Sequence, residues 1–256
     1  LDPPLHEFVP KSADKKAELA KELGITVEEV EKRGEALHEV NPMMGHRGVR
    51  LHVSFPLIAE TQYRAIFEAT AELLNAGAHP HPEIMIPVTI SARELSFQKA
   101  ICDRVKAEVE GRMDVNIKYQ FGTMIEIPRA ALTGNRMARA AEFFSFGTND
   151  LTQMTYGFSR DDIGTFMGDY LGNKILDNDP FQTIDTKGVG KLVEYGINAG
   201  RSTRPELTCG VCGEHGGDPD SIKFFNKIGI NYVSCSPFRV PVARLAAAQA
   251  AIEQSK

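Results

Sequence analysis

Two acidic side chains stand where apolar runs open into loops. FGTMIEIP carries Glu126 within an otherwise apolar stretch, and FFSFGTND reaches Asp150 directly after Gly147, Thr148 and Asn149. In parallel α/β proteins, groups at the carboxyl ends of neighbouring strands face one crevice, so these two carboxylates are expected to converge. Held together they repel unless a cation sits between them. An oxygen-only pair with open coordination positions suits Mg²⁺, which keeps waters and takes its remaining ligands from a substrate. The plainer reading, an ordinary strand-end carboxylate at Glu126 and a helix N-cap at Asp150, stays open at this level.

The stretch TCGVCGEHGGDP, residues 208–219, supplies Cys209, Cys212 and His215, and Cys235 follows. A structural zinc site would use those four groups. Against it, 207–211 reads as a strand, and alternation sends Cys209 and Cys212 to opposite sides. A thioredoxin-like pair would open a helix, whereas 213–219 reads as a loop. What remains is one thiol acting at a strand end, and Cys212, with Gly210 and Gly213 keeping bulk away from its sulfur, is the candidate. GHRGVR places Arg47 beside glycines that let a ligand approach a guanidinium able to grip phosphate or carboxylate with two prongs. Its alternative is a surface arginine in a turn. No G-x-G-x-x-G or G-x-x-x-x-G-K-[ST] pattern occurs, so neither a dinucleotide nor an ATP phosphate loop is indicated.

These groups need a scaffold, and the pattern supplies one. Short apolar runs without clean alternation, at 84–88, 121–127, 142–146, 207–211 and 232–235, alternate with helical stretches, as buried parallel strands do. Met113, Met124 and the phenylalanines of 143–146 read as core. Ser12 caps a helix to about Leu23, stopped by Gly24, and Thr26 with Glu29 is a capping-box pattern opening a second helix to about Val40. The loop NPMMGHRGVRL follows, then an amphipathic helix from about Pro56 to Asn75. Ser91 with Glu94 forms another capping box, Pro128 fits a first helical turn, and Gly111 and Gly200 are expected just after helix ends. Residues 160–186 are long for a loop and are expected to act as a lid or binding segment. A repeated strand-loop-helix unit builds either a doubly wound sheet or a (β/α)8 barrel, and about five strands is three short of the barrel.

Composition bounds the function. A chain of 256 residues, 42% hydrophobic, can bury a sizeable core. A net charge of -5 without a basic stripe argues against nucleic acid. No apolar run approaches the roughly 20 residues of a membrane span, and LDPPLHEFVP lacks the regions of a signal peptide. Four sparse cysteines point to a reducing compartment and free thiols. The last residues, Gln254, Ser255 and Lys256, fall one short of a Ser-Lys-Leu peroxisomal address, a near miss of little weight.

Five segments, NPMMGHRGVRL, GTMIEIPRAAL, FFSFGTNDLTQMT, CGVCGEHGGDP and NYVSCSPFRVPVARLAAAQAA, occur in an order that resembles the phosphoenolpyruvate-utilising enzyme family. LDPPLHEF, GHRG and EIPRAAL favour its pyruvate phosphate dikinase branch, while FFSFGTNDLTQ alone also fits phosphoenolpyruvate synthase or phosphotransferase enzyme I. The resemblance implies an α/β fold of (β/α)8 TIM-barrel type, incomplete here because its first strands are missing. Residues 1–256 would form the C-terminal part of a phosphoenolpyruvate/pyruvate-binding barrel, with a helical hairpin at 11–40. It also implies Mg²⁺ on Glu126 and Asp150, and pyruvate or phosphoenolpyruvate held by Arg47, Ser145, Gly147, Thr148, Asn149 and Arg160. Cys212 would exchange a proton with C3, and a phosphohistidine on an absent domain of the parent chain would exchange the phosphoryl group. In the whole reaction ATP, phosphate and pyruvate become AMP, diphosphate and phosphoenolpyruvate, a turnover this partial chain is not expected to perform alone. The expected setting is intracellular and soluble, in cytoplasm or an organelle such as a plastid or glycosome, and open strand edges would favour a homodimer.

Overall fold

The computed structural model describes residues 2–254. Ser255 and Lys256, on which the near-peroxisomal ending rests, lie outside the described residues, as does Leu1.

The chain opens with a helical hairpin. Helix α1 (Ala13–Leu23) is closed by Gly24 in the left-handed region at φ 65°. Thr26 accepts the Glu29 N–H at 3.2 Å to start α2 (Val27–Ala36). This helix stops short of the expected Val40. Pro42 disfavours helical geometry at Asn41, and Glu39 is diverted to accept the His46 N–H at 3.0 Å, bracing the loop that carries Arg47. Helix α3 (Val49–Ser54) then leads into α4 (Pro56–Asn75), with Pro56 in its first turn, where a missing N–H costs nothing.

From here strand and helix alternate. β1 (Glu83–Ile86) precedes α5 (Ala92–Met113), whose Ser91–Glu94 capping box is reciprocal. β2 (Gln120–Ile125) is followed by the short α6 (Pro128–Leu132) and α7 (Gly134–Met137). β3 (Phe143–Gly147) runs straight into α8 (Thr148–Tyr156), and α9 (Met167–Gly172) and α10 (Val189–Thr203) precede β4 (Thr208–Cys212). The chain then forms α11 (Pro219–Lys227), β5 (Tyr232–Val233) and α12 (Val240–Gln254).

The five strands pair in parallel in the order β1-β2-β3-β4-β5. Chain order and spatial order coincide. A doubly wound sheet reverses direction at a switch point, whereas successive neighbours are what a barrel uses, so these strands form an open barrel-type arc with β1 and β5 at its edges. Pleating divides the side chains. Ile84, Ile86, Phe121, Ile125, Phe144, Phe146, Cys209 and Val211 are buried together in the main hydrophobic cluster with residues from α4, α5 and α10. The opposite set, including Met124, Ser145, Gly147, Gly210 and Cys212, belongs to the inner face.

Two expectations are corrected. Gly111 and Gly200 lie inside α5 and α10 rather than beyond their ends, and Asp114, at φ 52°, closes α5 instead. Gly200 is needed where it is because a Cβ there would sit 2.7 Å from the Phe144 ring. Residues 160–186 are also less loop-like than the sequence implies. They contain a 3₁₀ turn at Ile163–Thr165, helix α9 and a small core of Ile163, Met167 and Phe181 packed by Phe158, Phe166 and Tyr170. Among the described residues no helix is long and apolar enough to cross a membrane.

Candidate active site

The pleat brings the strand tips together. Glu126, Gly147 and Cys212 fall on the inner face at the carboxyl ends of β2, β3 and β4, with Gly147 directly opposite Cys212 in register.

Glu126 is 1% exposed and its Oε1 accepts the Val88 N–H at 2.6 Å. Val88 holds φ 60°, a left-handed conformation that costs a β-branched residue roughly 1–3 kcal/mol and that clusters at functional sites. Glycine at 147 gives the carboxylate room, because a Cβ there would run into Glu126 Oε2 and Met124. The Glu126 pKa is pushed well above the ordinary carboxylate range, first by burial and then by the negative charges of Asp150 and Asp2, against the opposing Val88 hydrogen bond.

Asp150 occupies the first turn of α8. Its Oδ2 accepts from Arg47 Nη2 at 2.7 Å and its Oδ1 from Gln153 Nε2 at 3.2 Å. Arg47 is only 5% exposed and has Asp2 Oδ1 at 3.9 Å as a second anionic neighbour. Burial works against the guanidinium charge, yet Asp150, Asp2 and Glu126 hold its pKa above the ordinary arginine value. Arg47 thus stands as the cation of an otherwise repelling carboxylate cluster.

Cys212 is half-buried, and its Sγ accepts from Ser145 Oγ at 3.4 Å. Burial raises its pKa, Ser145 opposes the rise, and Glu126, Asp150 and Asp2 add to it, so the sulfur shares the electrostatic space of the carboxylates. On β5, burial raises the Tyr232 pKa, and Ser145 opposes that rise.

Thr148 and Asn149 turn their side chains to the loop after β4. Thr148 Oγ1 lies 2.7 Å from His215 Nδ1 and 3.1 Å from the Cys212 carbonyl, and Asn149 Oδ1 accepts the Glu214 N–H at 3.2 Å. No side chain caps α8, so its first backbone N–H groups have no side-chain partner at the positive end of the helix dipole. Arg160 is held otherwise: its backbone N–H donates to Gln153 Oε1 at 2.7 Å, and its guanidinium reaches Glu214 at 3.5 Å.

The zinc alternative fails on geometry. Cys209 is fully buried on the helix side, while both ring nitrogens of His215 are occupied, by Thr148 and by the Pro180 carbonyl at 2.8 Å. Among the described residues no three His, Cys, Asp or Glu side chains stand together as a metal-holding group. Glu126 and Asp150 offer two carboxylates and no nitrogen or sulfur ligand, a donor set that fits Mg²⁺, which completes its shell from water and substrate oxygens.

Asp2, Val88, Gln153, His215 and Tyr232 are not assigned to this site by sequence reasoning. Gln153 had a readable signal, since three residues after Asp150 on a helix it must share Asp150's face.

Residues 1–252 match the model of the PEP-utilising enzyme, PEP-binding domain. The chain is 57% identical over 253 residues to pyruvate, phosphate dikinase of Clostridium symbiosum, covering 98% of this chain and 29% of that relative. It is 54% identical over 253 residues to the Rhizobium meliloti pyruvate, phosphate dikinase, covering 98% and 28%. Against pyruvate, phosphate dikinase 2 of Zea mays it is 54% identical over 251 residues, covering 97% and 28%. It therefore spans less than a third of the length of these relatives. The PEP-binding domain is of TIM-barrel type, in accord with the sequential parallel sheet described above. With the family model running over residues 1–252, the chain belongs to the PEP-utilising enzyme family through its PEP-binding domain.

Proposed function

We propose that this chain is the phosphoenolpyruvate/pyruvate half-site of a pyruvate, phosphate dikinase, interconverting phosphoenolpyruvate and pyruvate with a phosphohistidine carried elsewhere in the parent protein. The observation that carries the reading is that Glu126, Gly147 and Cys212 share the inner face at the strand ends, with Asp150 paired to Arg47.

Glu126 and Asp150 would hold Mg²⁺, which supplies Lewis-acid stabilisation for negative charge developing on the substrate oxygen. Arg47 and the uncapped amides of α8 would bind the substrate's anionic groups, the guanidinium with two prongs and the helix through its dipole. Arg160 serves as a further anion ligand once it leaves Glu214. When phosphoenolpyruvate gives its phosphoryl group to the histidine, the P–O bond breaks and an enolate remains. The Cys212 S–H donates its proton to C3, forming the methyl of pyruvate and leaving a thiolate. The reverse reaction returns that proton to sulfur before the enolate oxygen attacks phosphorus. A thiol whose pKa is raised by burial and by nearby carboxylates rests protonated at neutral pH, as an acid in this step must. Ser145 orients the sulfur from the neighbouring strand.

The test is exchange of pyruvate methyl protons with solvent deuterium in the intact protein with Mg²⁺. Exchange is expected in the parent and absent in Cys212→Ala and Cys212→Ser. Undiminished exchange in either variant would overturn the assignment.

A further inference from the structure

We infer that His215 is a positioning residue for Cys212, acting as a neutral Nε2–H imidazole that clamps the loop after β4 between α8 and residues 160–186. The inference rests on the proposed role of Cys212.

The ring is fully buried, and each nitrogen has one close partner. Nε2 lies 2.8 Å from the Pro180 carbonyl oxygen, which can only accept, so Nε2 carries the proton. In the neutral ring Nδ1 is then a bare acceptor, and the partner 2.7 Å away, Thr148 Oγ1, must donate to it. Thr148 is itself fully buried, and the same hydroxyl lies 3.1 Å from the Cys212 carbonyl. One hydroxyl proton cannot serve both acceptors. The neutral histidine therefore keeps the hydroxyl on the ring, whereas a doubly protonated ring would donate to Oγ1 and turn the hydroxyl onto the Cys212 backbone. Burial lowers the His215 pKa, and Arg160 adds to that, against Pro180, Asp218 and Asp179, so the neutral arrangement is the resting one.

The surrounding geometry transmits the clamp to the thiol. Gly213 follows Cys212 at φ 109°, and a Cβ there would sit 3.0 Å from both Thr148 Oγ1 and Asn149 Oδ1. The backbone leaving the thiol is thus pressed against the start of α8, with the Glu214 N–H bonded to Asn149. Pro180 brings the far side of the 160–186 segment onto the same ring. A single imidazole joins three chain segments within one residue contact of the proposed acid.

The experiment compares His215→Gln, which keeps a donor towards Pro180, with His215→Asn, which keeps an acceptor towards Thr148, in the intact protein. Both variants are expected to lower kcat about 10- to 100-fold with little change in KM, the scale of a misplaced reacting group. Alkylation of Cys212 by iodoacetamide, followed on its own peptide by mass spectrometry, is expected to be at least about fivefold faster in both. In the parent protein, ¹⁵N NMR is expected to show His215 with a protonated Nε2 and an unprotonated Nδ1 at neutral pH. An Nδ1–H tautomer, or unchanged alkylation and kcat in both variants, overturns the inference. If alkylation changes as expected while the parent protein fails to exchange pyruvate protons, the clamp stands and the proposed reaction falls.

Discussion

Arg47 Nη2 lies 2.7 Å from Asp150 Oδ2, a contact between residues 103 apart in the chain that joins the loop before α3 to the first turn of α8. The arginine side chain is 6% and the aspartate side chain 12% exposed, so this ion pair is largely withdrawn from solvent. Removing one partner of a buried pair leaves an uncompensated charge, typically at a cost of about 3–5 kcal/mol. Arg47→Met is therefore expected to lower the unfolding free energy by about 3 kcal/mol in urea titrations. Millimolar Mg²⁺ should restore part of that loss by replacing the missing cation. Equal melting curves with and without Mg²⁺ would remove the metal reading of the carboxylate pair.

Glu126 gives a pH dependence with a definite sign. Its folded pKa lies above its unfolded value because burial and Asp150 disfavour the charged form. The unfolded state then loses its proton first, so stability is full below the ordinary glutamate pKa and falls as pH rises through the raised folded value. Glu126→Gln removes that penalty. In urea titrations across pH 5 to 8 the variant should gain on the parent steadily with pH, and it should also lose any stabilisation by Mg²⁺. A parent that is stabilised by rising pH across this window, with the variant tracking it, contradicts the burial of a strained carboxyl group.

Cys212 should titrate late. Burial and the nearby carboxylates raise its pKa and only the Ser145 hydrogen bond opposes them. The alkylation rate of Cys212 against pH should show a midpoint above that of a free cysteine, about 8.5. Ser145→Ala should move the midpoint higher, and Mg²⁺ should move it lower by neutralising Glu126 and Asp150. A midpoint at or below that of a free cysteine in metal-free protein is the contrary outcome.

Gly147→Ala tests the closeness of β3 to the acid. The added methyl would meet Glu126 Oε2 and the Met124 side chain. Overpacking of this kind costs typically about 1–3 kcal/mol, and here it also pushes aside one of two proposed metal ligands. Isothermal titration with Mg²⁺ should show affinity reduced about tenfold or more. The same substitution at Gly164, where a Cβ meets nothing within 4 Å, should leave Mg²⁺ affinity unchanged.

Much of the architecture was legible because its signals are local. Thr26, Ser91 and Pro128 start helices by satisfying or dispensing with N–H groups in their own first turn, and the apolar runs around Phe121, Phe144 and Val211 announce strands buried on both faces. Gly111 and Gly200 misled because a glycine inside a helix reads like a stop; packing explains Gly200, which makes way for Phe144 and Leu207, while a Cβ at Gly111 would meet nothing within 4 Å. Arg160 illustrates a different limit. Its motif points to an anion, but which anion its side chain meets depends on how 160–186 folds over the loop after β4, and Glu214 is the one it meets here. His215 could be read only as a metal candidate, because its partners, Thr148 and the Pro180 carbonyl, lie 67 and 35 residues away.

Val88 ties the two ends of the crevice into one mechanical part. Its N–H holds Glu126, its side chain presses on Gly48 next to Arg47, and the Pro87 carbonyl before it accepts the Val49 N–H. Acid and arginine therefore ride on a common pivot, and neither can be re-aimed without dragging the other. Engineering this crevice for a longer or differently charged substrate would have to retune cation grip and anion grip in the same stroke.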